Sequence, residues 1–163
     1  VPPIPGIDNE KVVGLTALHQ PEPALGQKGV ILGGGLVGSE CAIYLDGLGK
    51  DVTIVEMKED WAADSYFMHK NAMKIYMRDS NIKIHVNTTA KAITDKGLVC
   101  QTPEGELVIP ADNILLAAGM KADRKAAESF YNAAPRVFET GDCIKAGRVV
   151  EAVTTGYYRA IDI

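Results

Sequence analysis

The residues of this chain best suited to chemistry begin with a run of glycines. Gly33, Gly35 and Gly38 have the spacing GxGxxG; the apolar run 29–32 precedes them and a helix-like pattern over 36–48 follows. In such a turn the first glycine permits a tight bend, the second lets the backbone approach a pyrophosphate, and the third lets the helix pack closely on the sheet. Because a strand precedes the turn and a helix follows it, the pattern predicts a dinucleotide-binding turn.

An acidic residue ends the next predicted strand. Residues 52–55 form a run rich in β-branched side chains, and Glu56 follows them. A carboxylate there can accept hydrogen bonds from both hydroxyls of an adenosine ribose. A 2′-phosphate would meet like charge, so Glu56 favours NADH over NADPH, and Lys58 weakens this preference without reversing it. The alternative, a solvated glutamate at a strand end, fits the βαβ pattern less well.

The helix after the glycines predicts a second set of ligand contacts. It begins near Leu36, and its free N–H groups and positive dipole end point at the phosphates. Glu40 lies on its first turn, just after the last glycine. Its carboxylate either compensates the helix dipole or faces the ligand, and the residue chemistry leaves both roles open.

The elements that position these residues predict an α/β fold with a Rossmann-like parallel sheet. Hydrophobic periodicity predicts helices over 36–48 and 67–79. Apolar or alternating runs predict strands over 29–32, 51–56, 82–86 and 113–118. Three short runs within 91–109, separated by Gly-containing turns, predict a small antiparallel meander on the crossover.

The rest of the chain divides differently. Residues 1–27 are rich in proline and predict a connector, with a short strand or turn near Val12. Residues 28–119 form the predicted NAD(H)-binding domain. The block 120–163 does not extend the first βαβ pattern, and contains a predicted strand over 136–140, a turn at Gly141-Asp142 and a helix over 149–163.

Composition excludes several classes of function. The net charge of −4 disfavours nucleic acid as a partner, because phosphate-backbone binders normally present a basic face. No apolar run approaches the roughly 20 residues needed to cross a bilayer. The three cysteines and three histidines are dispersed, so they predict free thiols in a reducing cytoplasm and no metal site. The cysteines and histidines concerned are Cys41, Cys100, Cys143, His19, His69 and His85.

The segment from Lys28 to Met57, KGVILGGGLVGSECAIYLDGLGKDVTIVEM, resembles the NAD-binding insert of the pyridine nucleotide–disulfide oxidoreductase superfamily. Three further motifs match in order: residues 3–7, residues 117–119, and Thr140-Gly141-Asp142 followed by Val150-Glu151-Ala152. Within the superfamily, the sequence is most similar to the C-terminal half of old-yellow-enzyme-type NADH:flavin oxidoreductases. The 2-enoate and 2,4-dienoyl-CoA reductases are examples of this type.

The resemblance implies a role for each matching residue. The three motif glycines would hold the NADH pyrophosphate, Glu56 the adenosine ribose, and Glu40 would lie close to the nicotinamide. Gly119 would allow close approach to the cofactor, and Asp142 would accept a hydrogen bond from the ribityl chain of FAD. The implied cofactor-binding residues are Gly33, Gly34, Gly35, Leu36, Val37, Gly38, Glu40, Glu56, Met57, Ala118, Gly119, Gly141 and Asp142. No catalytic residue is assigned.

The resemblance also predicts what the chain lacks. The first FAD-binding βαβ unit of the family would lie before Val1, so 120–163 would be the C-terminal segment of an incomplete FAD-binding domain that cannot hold FAD tightly. That upstream FAD-domain segment is a predicted partner. Exposed apolar residues such as Val149, Val150 and Val153 predict self-association.

The predicted function is the NADH-binding portion of an FAD-dependent oxidoreductase that passes hydride from NADH to flavin. The alternative from another class is a non-catalytic NAD(H)-sensing regulatory domain, which would share the glycine turn and Glu56. Such a domain has no reason to carry the Gly141-Asp142 and Glu151 block. A methyltransferase ranks last, because its glycine turn usually lacks the third glycine.

Overall fold

The computed structural model describes residues 2–15, 18 and 25–161. The chain divides into two compact units, unit 1 at Val1–Ala118 and unit 2 at Gly119–Ile163. His19 and the predicted end of the last helix at Ile163 lie outside the described residues.

A parallel sheet forms the centre of unit 1. Its strands are β1 (Val12–Gly14), β2 (Lys28–Leu32), β3 (Asp51–Val55), β4 (Lys83–His85) and β8 (Asn113–Leu116). They lie in the order β1-β8-β2-β3-β4, and every neighbouring pair is parallel. The α/β prediction with a Rossmann-like parallel sheet is therefore confirmed. β2 is the central strand, with β3 on one side and β8 on the other, so its carboxyl end is a topological switch point, where open α/β sheets bind ligands.

Helices and a meander connect these strands. Helix α1 (Leu36–Gly47) joins β2 to β3, and helix α2 (Phe67–Arg78) joins β3 to β4. The crossover from β4 to β8 carries the antiparallel meander β5 (Thr89–Thr94), β6 (Gly97–Thr102) and β7 (Gly105–Ile109).

The sheet is buried on both faces, which explains the nearly continuous apolar sequence of β2. Val30 and Leu32 pack with meander residues such as Leu98 in one core cluster. Ile31 points to the other face and packs with Leu45 of α1 in a second cluster. Because both faces of β2 are filled, the carboxyl end of this strand is held in a fixed position under the glycine turn.

Part of the predicted connector belongs to the sheet. Strand β1 pairs with β8 at the edge, and the Lys11 ammonium donates hydrogen bonds to the carbonyl oxygens of Asp95 (2.7 Å) and Ala111 (2.9 Å). Residues before β2 therefore help to close unit 1.

Unit 2 consists of short helices without a buried core. It contains α3 (Arg124–Glu128), a single 3-10 turn (Gly141–Cys143) and α4 (Val149–Ile161). None of its described residues is buried. The helix predicted after residue 149 is present to the last described residue.

The strand predicted over residues 136–140 is wrong. A β-strand needs a neighbouring strand that satisfies its backbone N–H and C=O groups. Among the described residues, this segment pairs with no strand. Side chains hold it instead: the Glu139 carboxylate pairs with Arg124 at 2.9 Å and accepts a hydrogen bond from the Tyr131 hydroxyl. That carboxylate raises the pKa of Tyr131.

Candidate dinucleotide-binding site

The turn after β2 has a conformation that requires glycine. Gly33 has φ of 108°, a left-handed value that side chains disfavour, and a Cβ there would lie 2.5 Å from the carbonyl oxygen of Ala117. Its N–H donates to the Val55 carbonyl at 2.9 Å, so the chain turns over the end of β3. The first glycine of the motif thus makes the tight bend expected from the sequence.

The third glycine brings α1 against the turn. A Cβ on Gly38 would lie only 1.9 Å from the carbonyl oxygen of Gly33, a distance that no side chain can occupy. Gly35 is the N-cap of α1, and no side chain caps the helix from this position. The first N–H groups of α1 are therefore available to other acceptors.

Glu56 lies directly beneath the turn and is 7% exposed. Its carboxylate accepts hydrogen bonds from the N–H of Gly34 at 2.7 Å and from the N–H of Lys58 at 2.9 Å, one on each oxygen. The glycine turn follows β2, and Glu56 follows β3. A direct hydrogen bond joins these two parts of the chain. The solvated alternative for Glu56 is wrong, because β4 and the turn enclose the end of β3.

One residue at this turn was missed by sequence reasoning. The Asp64 carboxylate accepts a hydrogen bond from the N–H of Leu36, the first residue of α1, at 2.8 Å. Asp64 and Leu36 are 28 residues apart, so no local spacing rule links them. The acidic residues of the segment between β3 and α2 are the only sequence signal that could have suggested it.

The predicted flavin turn lies in unit 2. Gly141 has φ of 57°, and its N–H donates to the Thr155 hydroxyl of α4 at 2.9 Å. The Asp142 carboxylate accepts a hydrogen bond from the N–H of Gly147 at 3.1 Å and is exposed. The turn is thus fixed against α4, with Asp142 at its surface.

Comparison with known proteins assigns this combination of features. The sequence pattern of the pyridine nucleotide-disulphide oxidoreductases matches residues 1–157. The chain belongs to the pyridine nucleotide-disulphide oxidoreductase family. The predicted cofactors, NAD(H) and FAD, are those of this family, whose members include flavin-dependent oxidoreductases.

Several relatives of this family match most of the chain. A bilirubin reductase of Mediterraneibacter gnavus is 27% identical over 161 residues, which are 98% of this chain and 25% of that protein. A cinnamate reductase of Clostridium sporogenes is 30% identical over 142 residues, 85% of this chain and 21% of that protein. A solved 2-naphthoyl-CoA reductase complex matches with a TM-score of 0.93 and 32% identity, over 100% of this chain and 25% of that chain. This chain thus spans about a quarter of the length of these relatives or less.

Glu40 lies on the exposed side of α1. One carboxylate oxygen is 3.4 Å from Nε2 of His69 on α2, and both side chains are partly exposed. The adjacent Cys41 is half-buried against the core, where burial and then the Glu40 carboxylate raise the pKa of its thiol. A raised pKa disfavours the reactive thiolate, so Cys41 packs as a small apolar residue.

The remaining predicted residues lie at the surface around the turn or in unit 2. Val37 and Met57 are 46% and 70% exposed, which leaves both free to contact a ligand. Ala118 closes unit 1 shortly after β8, whose carboxyl end neighbours that of β2. Gly119 opens unit 2 with φ of 93°.

The described residues form neither a metal-ligand cluster nor a membrane-spanning helix. No cluster of three His, Cys, Asp or Glu side chains in 2–15, 18 or 25–161 could hold a metal ion. Within the same ranges, no helix has the length and apolar character needed to cross a membrane.

Proposed function

We propose that this chain binds NADH through the glycine turn and Glu56, as part of an FAD-dependent enzyme that passes hydride from NADH to flavin. Residues 28–119 would form the NAD(H)-binding domain, and 120–163 the C-terminal segment of the FAD-binding domain. The observation that carries the proposal is the hydrogen bond between Gly34 and the Glu56 carboxylate, which joins the phosphate and ribose positions into one rigid unit.

The glycine turn fits a diphosphate. Side chains at Gly33 and Gly38 would collide with backbone oxygens, so the backbone geometry of the turn requires glycine at both positions. The N–H groups of Gly35 and Leu36 would carry the diphosphate, with the positive end of the α1 dipole behind them. Val37 and Met57 would border the bound nucleotide.

The held carboxylate of Glu56 supports NADH over NADPH. Each carboxylate oxygen accepts one backbone hydrogen bond and keeps a further lone pair for a ribose hydroxyl. A 2′-phosphate would bring two negative groups together beside a mostly buried carboxylate, where water screens charge poorly. Glu40 would lie nearer the nicotinamide end, on the following turn of the helix.

A separate set of residues would contact flavin. FAD, when bound, would supply the acceptor for the hydride. Asp142 would accept a hydrogen bond from its ribityl chain, Gly141 would shape the turn, and Gly119 would allow the backbone to approach the cofactor. The rest of the FAD pocket would come from other parts of the enzyme, so this chain alone would hold FAD weakly.

Within the family, we assign the enzyme to the old-yellow-enzyme-type NADH:flavin oxidoreductases. The support is the match over 98% of this chain to a bilirubin reductase, over 85% to a cinnamate reductase, and over its whole length to a 2-naphthoyl-CoA reductase. The uncovered apolar residues of α4 would also promote self-association of the isolated chain.

Substitution of Glu56 by glutamine tests the proposal. The variant Glu56→Gln retains the size of the side chain and an oxygen that can accept from Gly34, but removes the charge. NADH affinity, measured by calorimetric titration, should fall roughly tenfold, the effect expected for losing charge-assisted hydrogen bonds. Affinity for NADPH should change little, so the preference for NADH narrows.

The control is Glu59→Gln, which makes the same charge change at an exposed position nearby. It should leave both affinities unchanged. Equal NADH binding by Glu56→Gln and the unmodified chain would refute the ribose role of Glu56. An unmodified chain that binds neither nucleotide would refute the proposed function.

A further inference from the structure

The loop between β3 and α2, residues 57–66, folds back over the glycine turn. It begins one residue after Glu56 and ends just before α2. The N–H of Ala62 donates to the Gly34 carbonyl at 2.6 Å, and Ala62 is fully buried. This contact fixes the middle of the 57–66 loop against the turn that carries the proposed dinucleotide site.

Asp64 of this loop occupies the start of α1. Its Oδ1 accepts a hydrogen bond from the Leu36 N–H at 2.8 Å. A Cβ built on Gly35 would lie 3.4 Å from both Asp64 oxygens, so the carboxylate covers the open face of that glycine. The second glycine of a dinucleotide turn is bare so that an anion can approach the backbone. In this structure the anion that approaches is Asp64.

The 57–66 loop is held closed at some conformational cost. Ala62 has φ of 46°, in the left-handed region, which is unfavourable for an L-residue other than glycine. Such outliers persist only where surrounding contacts enforce them, and they concentrate at switch regions and ligand clamps. Here those contacts are the two hydrogen bonds to the turn and α1.

Contacts with α2 hold the other side of the loop. Lys70 pairs with Asp60, and its ammonium lies 5.5 Å from the centroid of the Trp61 ring. Trp61 is the only tryptophan of the chain, so the loop contains its own fluorescent reporter. Glu59 is an exposed carboxylate of the same loop, which makes it a control for Asp64.

We propose that Asp64 sets the NADH affinity of this site by occupying the place of the pyrophosphate, and that NADH binds only after displacing it. The inference rests on the proposed function, because the competing ligand is the diphosphate of NADH. A carboxylate and a diphosphate cannot share the Leu36 N–H, and their like charges repel at this distance. Binding therefore requires the 57–66 loop to move away from α1.

Removing the competing carboxylate should strengthen binding. In the 163-residue chain, Asp64→Ala should bind NADH and ADP roughly fivefold more tightly, the factor that corresponds to one lost capping hydrogen bond. Asp64→Asn loses the charge but keeps an oxygen that can accept from the Leu36 N–H, so its gain should be smaller. Adenosine keeps the ribose and lacks the diphosphate, so its affinity should not change. Glu59→Gln, the control, should leave all three affinities as they are.

Trp61 emission gives a readout that does not depend on enzymatic activity. ADP, which does not absorb where tryptophan emits, should shift the Trp61 emission of the unmodified chain, and adenosine should not. The emission of ligand-free Asp64→Ala should already be shifted towards that of the ADP complex. Circular dichroism melting of both Asp64 variants checks that each is folded.

The outcomes separate the inference from the proposed function. If Asp64 only caps α1 and stays in place in the complex, its removal will leave NADH affinity unchanged or weaker, which overturns the inference alone. An equal gain for adenosine would also overturn it, because the effect would not involve the diphosphate. If the unmodified chain binds no NADH, the proposed function fails and this inference falls with it.

Discussion

The two units of this chain use apolar sequence in opposite ways. Unit 1 buries its apolar side chains between sheet, helices and meander, and all of the buried hydrophobic residues in the described part of the chain lie within it. The described residues of unit 2 include none that is buried. Its helix α4 nevertheless has the sequence of a helix that packs, with Val149, Val153, Tyr157 and Ile161 along one side.

A comparison of two helices makes the difference concrete. Helix α1 is scarcely amphipathic, yet Gly38, Ala42 and Leu45 are buried against the sheet. Helix α4 is far more amphipathic, yet none of its described side chains is buried. An amphipathic pattern therefore indicates that a helix has a face to cover, and says nothing about which part of a protein covers it.

This contrast has a functional consequence. The glycine turn and Glu56 follow β2 and β3, and apolar side chains of unit 1 pack against both faces of these strands. The geometry of the turn and of Glu56 is therefore set within unit 1. The Gly141-Asp142 turn rests on α4, a helix without a buried side. We expect the glycine turn and Glu56 to be ordered by unit 1 alone, and the Gly141-Asp142 turn to depend on what covers α4.

Thiol labelling should show the largest difference between the units. Burial raises the pKa of Cys100 in the meander to about 11, whereas Cys143 of unit 2 is exposed. The thiolate is the reactive form, and at pH 8 only about one Cys100 in a thousand would be a thiolate, so it would react slowly even if the reagent reached it. Labelling with iodoacetamide, followed by peptide mass spectrometry, should modify Cys143 at least about a hundredfold faster, because the rise of the Cys100 pKa from 9.0 to about 11 lowers its thiolate fraction by about that factor.

The pH dependence sharpens this prediction. Since the pKa of Cys100 is raised, its labelling in the folded chain should keep increasing as pH rises from 8 towards 11. Labelling in denaturant serves as the control, because both thiols should then react at similar rates. Protection of Cys143 at high protein concentration would contradict an open unit 2 and would indicate that self-association covers it.

Truncation of one apolar side chain in each unit gives the next largest effect. Leu98 is fully buried in the meander core, so Leu98→Ala should lower the free energy of unfolding by about 2–5 kcal/mol. Val153 of α4 is 64% exposed, and Val153→Ala should change the free energy of unfolding by no more than about 0.5 kcal/mol. Urea unfolding followed by Trp61 fluorescence measures the loss in unit 1, and urea unfolding followed by circular dichroism measures that of the whole chain. A large loss of helical signal stability from Val153→Ala would mean that α4 is packed in solution.

The sequence predicted those features that local patterns determine. The strand before the glycines, the helix after them and the alternation in the meander each follow from neighbouring residues, and the structure contains all three. The tight bend at Gly33 was predictable for the same reason. Glu56 could be placed at a strand end, because parallel strands of one βαβ unit end at the same edge of the sheet.

Features that depend on distant contacts were not predictable. Asp64 meets Leu36 across 28 residues, and only the folded path of the 57–66 loop brings them together. Residues 136–140 have a strand-like sequence, yet no neighbouring strand is present among the described residues to pair with them. The enclosure of Glu56 also depended on β4 and the turn closing around it, which its own sequence neighbours do not specify.

The smallest predicted effect tests whether the units unfold separately. Gly47 of α1 and Gly156 of α4 are both helical glycines with room for a methyl group, since a Cβ would lie 3.8 Å from the Tyr76 hydroxyl at Gly47 and within 4 Å of nothing at Gly156. Gly47→Ala should stabilise unit 1 by about 0.5–1 kcal/mol, because alanine loses less backbone entropy in a helix. Gly156→Ala should slow hydrogen exchange in α4 by about two- to fivefold, the factor that corresponds to the same free energy. It should leave the urea midpoint reported by Trp61 unchanged. Equal shifts of that midpoint by the two substitutions would mean that α4 folds together with unit 1, and the contrast between a self-contained unit 1 and a dependent unit 2 would then be lost.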